Sequence, residues 1–203
     1  MNYAQSTSDG SKVLPDSVGL SQTATEPVLA QPRSDRRPGT VDGQELRTVM
    51  AHFPTGVTII GSHAHGKDQG MTANSVTCVS LDPPLVAVCT SHGSRTIEAI
   101  DASGGFAVTF LASDQEDLAL QFSRSHHDHF KGMTTGRTTL GHPYFPNGVG
   151  YLGCVVHQQV EAGDHSIVIG AVTESVLRGG DPLVFFRSKL GNLSQAPDAW
   201  TNS

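Results

Sequence analysis

The pattern of hydrophobic and polar positions divides the chain into an N-terminal stretch without a period and a patterned remainder. Residues 1–40 are rich in Ser, Thr, Gln, Pro, Asp and Gly, and their few hydrophobic residues stand alone. A segment of this kind buries too little apolar surface to offset the entropy that it loses on ordering. We therefore predict a disordered N-terminal arm over residues 1–40, a folded domain over residues 41–195 and a C-terminal tail over residues 196–203.

Three short segments have the apolar spacing of helices. The first follows a candidate N-cap at Asp42, with Glu45 three residues later, and ends before Pro54. The second, SRTIEAIDASGG, has Ser94 as its candidate cap and closes at a glycine pair. The third, SDQEDLALQFS, has Asp114 as its candidate cap. The apolar positions that define the first helix are Leu46, Val49, Met50 and Phe53.

Elsewhere, β-branched and apolar residues form the short blocks that are typical of strands. These blocks are TGVTIIGSH, parts of GMTANSVTCVSLDPPLVAVCT, FAVTFLA and PLVFFRSKL. The longer stretch GYLGCVVHQQVEAGDHSIVIGAVTESVL indicates two strands around a turn at residues 162–164. Six or seven strands, with too few helices for strict alternation, predict a mainly β, antiparallel fold that closes into a small barrel and so hides its edges.

Charge and hydropathy restrict the partners and the location. The net charge is −6, and no run of Lys or Arg is present, so the pattern argues against a nucleic-acid partner. The longest apolar runs are much shorter than a bilayer requires, and the N-terminus lacks the apolar region of a signal peptide. We expect a soluble, cytoplasmic protein with no membrane association.

The three cysteines, Cys78, Cys89 and Cys154, are odd in number, widely spaced and set among apolar or β-branched neighbours. This pattern does not fit a disulfide framework. It predicts thiols that pack in the core without a chemical role.

Two motifs raise the question of a dinucleotide or a metal. GVGYLG, residues 148–153, matches the glycine spacing of a dinucleotide-binding turn, but a loop precedes it and a strand-like segment follows, so the required strand and helix are missing. In SHHDHF, His126 and His129 have the spacing of ligands on one helical face, yet no distant partner accompanies them. We favour a solvated loop and predict no metal. A place at the edge of a cofactor, or a His-rich metal site, remains the alternative.

The stretch from Gly70 to Thr90 is unusual because small polar side chains lead into an apolar strand. Thr72, Asn74, Ser75 and Thr77 occupy its first part, and an Asp-Pro-Pro sequence interrupts it. We predict that these residues line a site for a flat ligand with polar edges and a phosphate. The alternative is that they are the outward positions of a half-buried strand.

Seven segments, in their order along the chain, resemble the flavin reductase family, which has the FMN-binding split-barrel fold. These segments are FPTGVTII, GMTANSVTCVSLDPPLVAVCT, SRTIEAI, FAVTFLASDQEDLALQFS, DHFKG, GDHSIVIGAV and PLVFFRSKL. The resemblance covers Leu46 to Leu193. Members of this family are the reductase components of two-component flavin-dependent monooxygenases. The resemblance therefore implies a homodimer that binds FMN or FAD near the subunit interface, takes hydride from NADH or NADPH, and supplies a partner oxygenase.

The resemblance also implies roles for particular residues. His165 corresponds to a histidine near the nicotinamide, which it orients, and we take it as the catalytic candidate. The cofactor-binding candidates fall in five segments: Met71, Thr72, Ala73, Asn74 and Ser75 at the isoalloxazine and ribityl chain; Cys89, Thr90 and Ser91 near the chain and phosphate; Arg95 and Thr96 at the phosphate; Gln121 and Phe122 at the flavin; and Arg187, Ser188 and Lys189 at the dinucleotide.

Several of these positions have a simpler explanation. Arg95 can be a solvated helix residue, His165 a surface residue after a hairpin turn, and Arg187 and Lys189 charges at a strand end. The chain also departs from the family, with Gly153 where an acidic residue is common and His129 where a lysine is common. We expect the first departure to alter local hydrogen bonds and the second to weaken a phosphate or partner contact.

The predicted function is NAD(P)H:flavin oxidoreductase activity that releases reduced flavin to a monooxygenase. Hydride transfer requires two flat rings held together away from water, and the cofactor supplies the chemistry. Two alternatives use the same barrel, since a fold does not fix a function. They are a non-enzymatic flavin-binding electron carrier and an oxidase or monooxygenase that retains its flavin.

Overall fold

The structure is a computed structural model that describes residues 41–124 and 128–193. The arm predicted over residues 1–40, the tail predicted from residue 196, and His126 and His127 lie outside the described residues. Within them, no helix is long and apolar enough to cross a membrane.

The three predicted helices are present, and two of the predicted caps are confirmed. The helices are α1 (Gly43–Met50), α2 (Arg95–Ser103) and α3 (Glu116–Phe122). The Asp42 carboxylate accepts a hydrogen bond from the backbone N–H of Gln44, and the Ser94 hydroxyl accepts one from Thr96 N–H. Gly104 ends α2 in the left-handed conformation that glycine adopts readily.

The cap predicted for α3 is wrong. Gln115, not Asp114, occupies the N-cap position, and no side chain caps the helix. The reason is a tight turn before the helix, in which Gln115 N–H donates to the Ala112 carbonyl and the Gln115 side-chain oxygen accepts from Ala112 N–H. This turn places Asp114 outside the helix.

Twelve strands are assigned within the described residues. They are β1 (Thr55–Gly56), β2 (Thr58–Ala64), β3 (Lys67–Ala73), β4 (Thr77–Leu81), β5 (Pro84–Ser91), β6 (Gly105–Phe110), β7 (Gly136–Arg137), β8 (Pro143–Tyr144), β9 (Gly150–Ala162), β10 (His165–Leu177), β11 (Leu183–Phe186) and β12 (Lys189–Asn192). Seven of them form one antiparallel sheet in the order β3-β2-β6-β9-β10-β5-β4. The predicted number is close to the seven strands of this sheet, but PLVFFRSKL forms two strands outside it, β11 and β12, and the short strands β7 and β8 were not predicted.

The main sheet is split rather than closed. Strands β3 and β4 form its two edges and are not paired with each other in the described part of the chain. Strands β9 and β10 form a long hairpin around the predicted turn, where Gly163 has a positive φ. Strands β1, β11 and β12 make a separate small sheet. The segment between β3 and β4, where the split lies, is the one whose polar residues predicted a ligand site.

Two apolar clusters hold these elements together. Ile59 and Ile60 are adjacent on β2 and fully buried, and they belong to different clusters because successive side chains point to opposite faces of a strand. The first cluster packs the sheet against Ile97 and Ile100 of α2. The second surrounds Phe122 of α3. Both helices are thus fixed beside β2 and β3, where the candidate site lies.

The cysteine prediction is only partly confirmed. Cys154 is fully buried in the first cluster, and burial raises the pKa of its thiol to about 12. Cys89 is half-buried, but Cys78 is exposed, so the core prediction is wrong for Cys78. The reason is that Cys78 lies on the edge strand β4, most of which is exposed.

The apolar residues that predicted α1 are not covered by the described chain. No residue of α1 is buried, and the stripe formed by Leu46, Val49, Met50 and Phe53 is 53–64% exposed. We call these four residues the α1 stripe. The α1 stripe is thus an exposed apolar patch of the described chain, of a kind that monomeric proteins rarely leave open to water.

Candidate functional site

A cavity of about 460 Å³ opens at the beginning of α2. We call it the α2 cavity; residues 69–72, 91–96 and 122–124 and His129 line it. Its wall carries the guanidinium groups of Arg95 and Arg124, and the N-terminal end of α2 adds partial positive charge. The hydroxyl of Ser91 completes a lining that suits a phosphate group, whereas the Ser94 hydroxyl is engaged as the cap of α2.

A second cavity, of about 570 Å³, adjoins the first at Thr72 and lies beside α3. We call it the α3 cavity. Its lining combines apolar side chains, which suit a flat ring, with several polar and charged ones. The lining residues are Val57, Thr72, Asn74, Glu116, Ala119, Leu120, Ser123, Phe185, Ser188, Lys189 and Leu190.

The Thr72 hydroxyl lies at the junction of these two cavities. It donates a hydrogen bond of 2.6 Å to the carbonyl oxygen of Ala119, which fixes α3 against β3. Its hydroxyl is therefore occupied by the protein. A ligand at this junction would meet the backbone of β3 and the methyl group of Thr72.

A third cavity, of about 920 Å³, adjoins the α3 cavity at Asn74 and reaches the α1 stripe. We call it the α1 cavity; residues 50–51, 53–56 and 74–77 line most of it. Asn74 is exposed and lines both cavities, so its amide is open to a ligand in either. Ser75 is different, because its hydroxyl donates to the carbonyl of Cys89 and accepts from the N–H of Cys89, each at 3.1 Å. These two bonds hold the start of β4 against β5.

Ten of the predicted site residues line these three cavities. They are Met71, Thr72, Asn74, Ser75, Ser91, Arg95, Thr96, Phe122, Ser188 and Lys189. They come from β3, β5, α2, α3 and the β11–β12 hairpin, so the fold brings together residues that are far apart in the sequence.

The remaining candidates do not line these cavities. Ala73 and Thr90 are buried, and Cys89 has its backbone N–H and C=O bonded to Ser75. The Gln121 amide donates to the carbonyl of His129 at 2.8 Å and so holds the loop after α3. The Arg187 guanidinium lies over the ring of Phe186, with its central carbon 5.4 Å from the ring centre.

His165 does not line the α2 cavity, but it lies next to a residue that does. Its position in β10 is directly opposite Ser91 of β5, and its side chain is 47% exposed. Its Nδ1 donates to the carboxylate of Asp164 at 2.7 Å, a bond that lowers the pKa of Asp164. This bond fixes the orientation of the imidazole and leaves Nε2 as the nitrogen that can face a ligand.

Two cationic or ionisable residues of the α2 cavity were not predicted. Arg124 follows α3 by two residues, and His92 follows β5, where its Nε2 lies 2.6 Å from a carboxylate oxygen of Glu161. Phe185 and Leu120 in the α3 cavity were also missed. His92 could have been found from its place between Ser91 and Arg95; the others stand on elements whose docking only the tertiary structure reveals.

The interpretation of SHHDHF as a solvated loop is wrong for His129. This residue is buried, its Nδ1 lies 3.2 Å from the carbonyl oxygen of Gly70, and its ring packs 5.1 Å from that of Phe122. Its place in the wall of the α2 cavity agrees with the alternative at a cofactor edge. Among residues 41–124 and 128–193, no three His, Cys, Asp or Glu side chains are placed to share a metal ion.

Gly153, which stands where an acidic residue is common in the family, lies beside an acidic residue of the neighbouring strand. A Cβ atom at Gly153 would lie 3.2 Å from Cβ of Glu174, its partner across the β9–β10 hairpin. The Glu174 carboxylate accepts hydrogen bonds from the Tyr151 hydroxyl at 2.6 Å and from Thr139 N–H at 2.8 Å. These bonds lower the pKa of Glu174. An acidic group is thus supplied beside residue 153 from the neighbouring strand.

Known proteins are similar to this chain in sequence and in fold. The profile of the family described as Flavin reductase like domain matches residues 50–194. The chain is 38% identical over 133 residues to the stachydrine N-demethylase reductase subunit Stc3 of Rhizobium meliloti, covering 65% of this chain and 58% of that protein. It is 35% identical over 156 residues to a flavin reductase of Pseudomonas putida, covering 76% and 92%.

A solved structure agrees with these matches. The NADH:FAD oxidoreductase SgcE6 of Streptomyces globisporus, in complex with NAD and FAD fragments, superposes with a TM-score of 0.71 at 33% identity, covering 79% of this chain and 98% of that one. The chain spans little more than half the length of the Rhizobium relative. The matched residues include α2, α3 and every strand that lines the three cavities. The chain therefore belongs to the flavin reductase family and has its antiparallel split-barrel fold.

Proposed function

We propose that this protein is a soluble, cytoplasmic NAD(P)H:flavin oxidoreductase that reduces FMN or FAD and releases the product to a partner monooxygenase. The observation that carries the proposal is the junction at Thr72, where a cationic cavity meets a largely apolar one. A flavin has the same two parts, a phosphate-bearing chain and a flat tricyclic ring. The ring accepts hydride when bound, and the protein supplies position and electrostatics.

The phosphate of the flavin belongs in the α2 cavity. Arg95 and Arg124 supply guanidinium groups, Ser91 supplies a hydroxyl, and the N-terminal end of α2 adds partial positive charge. Several charge-assisted hydrogen bonds can form there at once. The chain between phosphate and ring then passes Met71 and Thr72.

The isoalloxazine ring belongs in the α3 cavity. Because the hydroxyls of Thr72 and Ser75 are used by the protein, the polar edge of the ring is left to the backbone of this segment and to the Asn74 amide. Leu120 and Phe185 supply apolar contact on other sides. Backbone donors at this edge stabilise the negative charge that the ring gains on reduction.

In this proposal the nicotinamide approaches past His165, which lies opposite Ser91 of the α2 cavity, and past Ser188 and Lys189 in the wall of the α3 cavity. The imidazole of His165, fixed by Asp164, is placed to orient the carboxamide of the nicotinamide. Ser188 and Lys189 line the α3 cavity, and Lys189 supplies positive charge for the dinucleotide. In this role the three residues position the donor and do not transfer protons.

A second copy of the chain covers the α1 stripe in this proposal. The stripe adjoins the α1 cavity, and that cavity adjoins the candidate ring site at Asn74. Association through the stripe would bury apolar surface and narrow the ring site at the same time. Light scattering on the purified protein measures the mass, and a monomer would refute this part.

Steady-state oxidation of NADH and NADPH tests the proposal. Oxidation is expected only when FMN, FAD or riboflavin is added, and it should continue for many cycles in air. An electron carrier would give one equivalent at most, and an enzyme that retains its flavin would turn over without addition. Addition of an oxygenase is expected to divert the reduced flavin. No flavin-dependent oxidation with either donor would refute the proposal.

A further inference from the structure

The turn between β11 and β12 has an unusual backbone conformation. Phe186 pairs with Lys189, which leaves a two-residue loop. Its residues, Arg187 and Ser188, both have positive φ, at 50° and 58°. A loop of this kind favours Asn-Gly, because a Cβ atom makes the left-handed conformation unfavourable. In the part of the chain that the structure describes, no other two consecutive non-glycine residues have positive φ. Such strain persists only where surrounding contacts hold it, and it is common at functional sites.

The same turn forms part of the wall around the candidate ring site. Ser188 lines both the α3 cavity and the α1 cavity, and Lys189 lines the α3 cavity. In the proposed function, both residues lie on the path of the nicotinamide. The conformation of the turn therefore sets where one hydroxyl and one ammonium group stand relative to the flavin ring.

The end of α1 holds this turn through two contacts. The N–H of Arg187 donates to the carbonyl oxygen of Ala51, the residue that follows α1, at 2.6 Å. The imidazole of His52 meets the ring of Phe186 edge-on, with 6.2 Å between the ring centres and 86° between the planes. The Arg187 guanidinium lies over the same phenyl ring. Both residues next to the turn's strained backbone are thus tied to α1.

The orientation of His52 is fixed by α1 itself. Its Nδ1 lies 2.9 Å from the carbonyl oxygen of Thr48, one helical turn earlier. Because a carbonyl only accepts, Nδ1 carries the proton and donates. His52 is exposed and lines none of the three cavities. Its imidazole is therefore placed to act on the turn and not on a ligand.

We propose that His52 is a positioning residue for the hydride donor, which holds the strained β11–β12 turn and so keeps Ser188 and Lys189 against the α3 cavity. The inference rests on the proposed function, because it assumes that the donor lies over a flavin ring in that cavity. It extends the proposed function to a helix outside the ligand site. Without this hold, the turn relaxes toward negative φ and the two side chains lose their place.

Steady-state kinetics at saturating flavin test the role of His52, with the flavin Kd measured separately in the absence of nicotinamide nucleotides. His52→Ala is expected to raise the KM for NADH or NADPH about 3- to 10-fold, while kcat and the flavin Kd change by less than about twofold. His52→Phe keeps a ring against Phe186 and should retain the wild-type KM. His157→Ala, which removes an exposed histidine of β9 outside the three cavities, is the control and should change neither constant.

Ser188→Gly tests whether His52 acts through the turn. Glycine adopts positive φ without strain, so the midpoint of thermal unfolding should rise by about 2 °C, and the freed turn should raise the donor KM. In the His52→Ala/Ser188→Gly double variant, the KM should be no higher than in Ser188→Gly alone, because one element carries both effects. His65→Gly relieves the same strain in the β2–β3 turn, where φ of His65 is 51°. It should raise the midpoint and leave the donor KM unchanged.

Three outcomes would overturn the inference. An unchanged donor KM in His52→Ala would do so, while turnover by the wild type leaves the proposed function intact. Equal rises of the donor KM and the flavin Kd would show that His52 supports the ring site or the fold in general. Multiplied effects in the double variant would show that His52 acts by a route other than the turn. If the wild type oxidises neither donor when flavin is added, the proposed function fails together with the inference.

Discussion

The hydroxyl of Thr72 donates to the carbonyl oxygen of Ala119 at 2.6 Å, and this bond joins strand β3 to helix α3 at the place where the α2 and α3 cavities meet. The bond links binding to folding, because the same residue shapes the site and holds α3. Thr72→Val keeps the shape of the side chain and leaves the carbonyl without this donor. We expect a loss of about 1–3 kcal/mol in the free energy of unfolding and weaker flavin binding.

Urea denaturation and flavin titration of the same variant check this prediction. Thr48→Val is the matched control, because the Thr48 hydroxyl donates to the carbonyl of Gln44 within the exposed helix α1. It should change the free energy of unfolding by less than about 0.5 kcal/mol. Equal effects of the two substitutions would contradict a special role for Thr72.

The second prediction concerns the phosphate end of the flavin. Replacing Arg95 or Arg124 by Ala removes a guanidinium group from the α2 cavity. A charge-assisted hydrogen bond contributes about 1.5–3 kcal/mol, so each change should weaken FMN binding roughly tenfold to a hundredfold. Riboflavin lacks the phosphate, and its affinity should not change. Parallel loss of riboflavin binding would mean that these residues hold the fold or the ring instead.

The third prediction separates the hydride donor from the flavin. His165→Ala removes the imidazole that Asp164 orients, and Asp164→Asn weakens that orientation. We expect the KM for NADH to rise roughly 3- to 10-fold in His165→Ala, as for the loss of one hydrogen bond, and to rise less in Asp164→Asn. Flavin affinity measured without NADH should stay constant. A change in flavin affinity alone would move His165 from the donor site to the flavin site.

The fourth prediction is a loss of stability in acid that depends on a cluster at the β2–β3 hairpin. Partial burial raises the pKa of Asp68, but bonds from Arg137 and His63 outweigh this effect, so its pKa lies below the ordinary value of 3.8. Asp68 therefore contributes stability that is present above pH 3.8 and lost as the pH falls through the lowered pKa.

Protonation of His142 also lowers the stability of the fold as the pH falls, but at a higher pH than protonation of Asp68. Burial, and then the charges of His63 and Arg137, lower the pKa of His142 below 6.5, and its Nδ1 accepts a hydrogen bond from the backbone N–H of His63. The unfolded chain takes up this proton first, so stability decreases as the pH falls below 6.5. Thermal unfolding from pH 7 to pH 3 should show both losses. Asp68→Asn should remove the lower one, and an unchanged profile in that variant would contradict the account.

The sequence predicts those elements whose cause is local. Asp42 and the spacing of the α1 stripe suffice for α1, and the Gly163 turn suffices for the β9–β10 hairpin, because caps and turns depend on neighbouring residues. The β11–β12 hairpin was missed, since Arg187 and Ser188 adopt positive φ angles that non-glycine residues rarely take. Its turn is instead held by a bond from Arg187 N–H to the carbonyl of Ala51, a contact between distant segments.

The same distinction applies to the candidate site. The family resemblance placed Thr72, Asn74 and Arg95 in the cavity wall, but periodicity could not reveal that the hydroxyls of Thr72 and Ser75 bind backbone groups of other elements. Nor could it reveal that Arg124, beyond the end of α3, reaches the α2 cavity. These relationships depend on tertiary packing, which the local pattern does not record.

Catalytic reduction of flavin is measured directly by an anaerobic titration of a small amount of the protein with NADH, or NADPH, in the presence of excess free FMN or FAD. Reduction of flavin bleaches its visible absorbance, and oxygen cannot reverse it. A flavin reductase should bleach one flavin for each nicotinamide oxidised, through many more equivalents than there are protein chains. Bleaching that stops at one flavin per chain, or no bleaching with either donor, would contradict it.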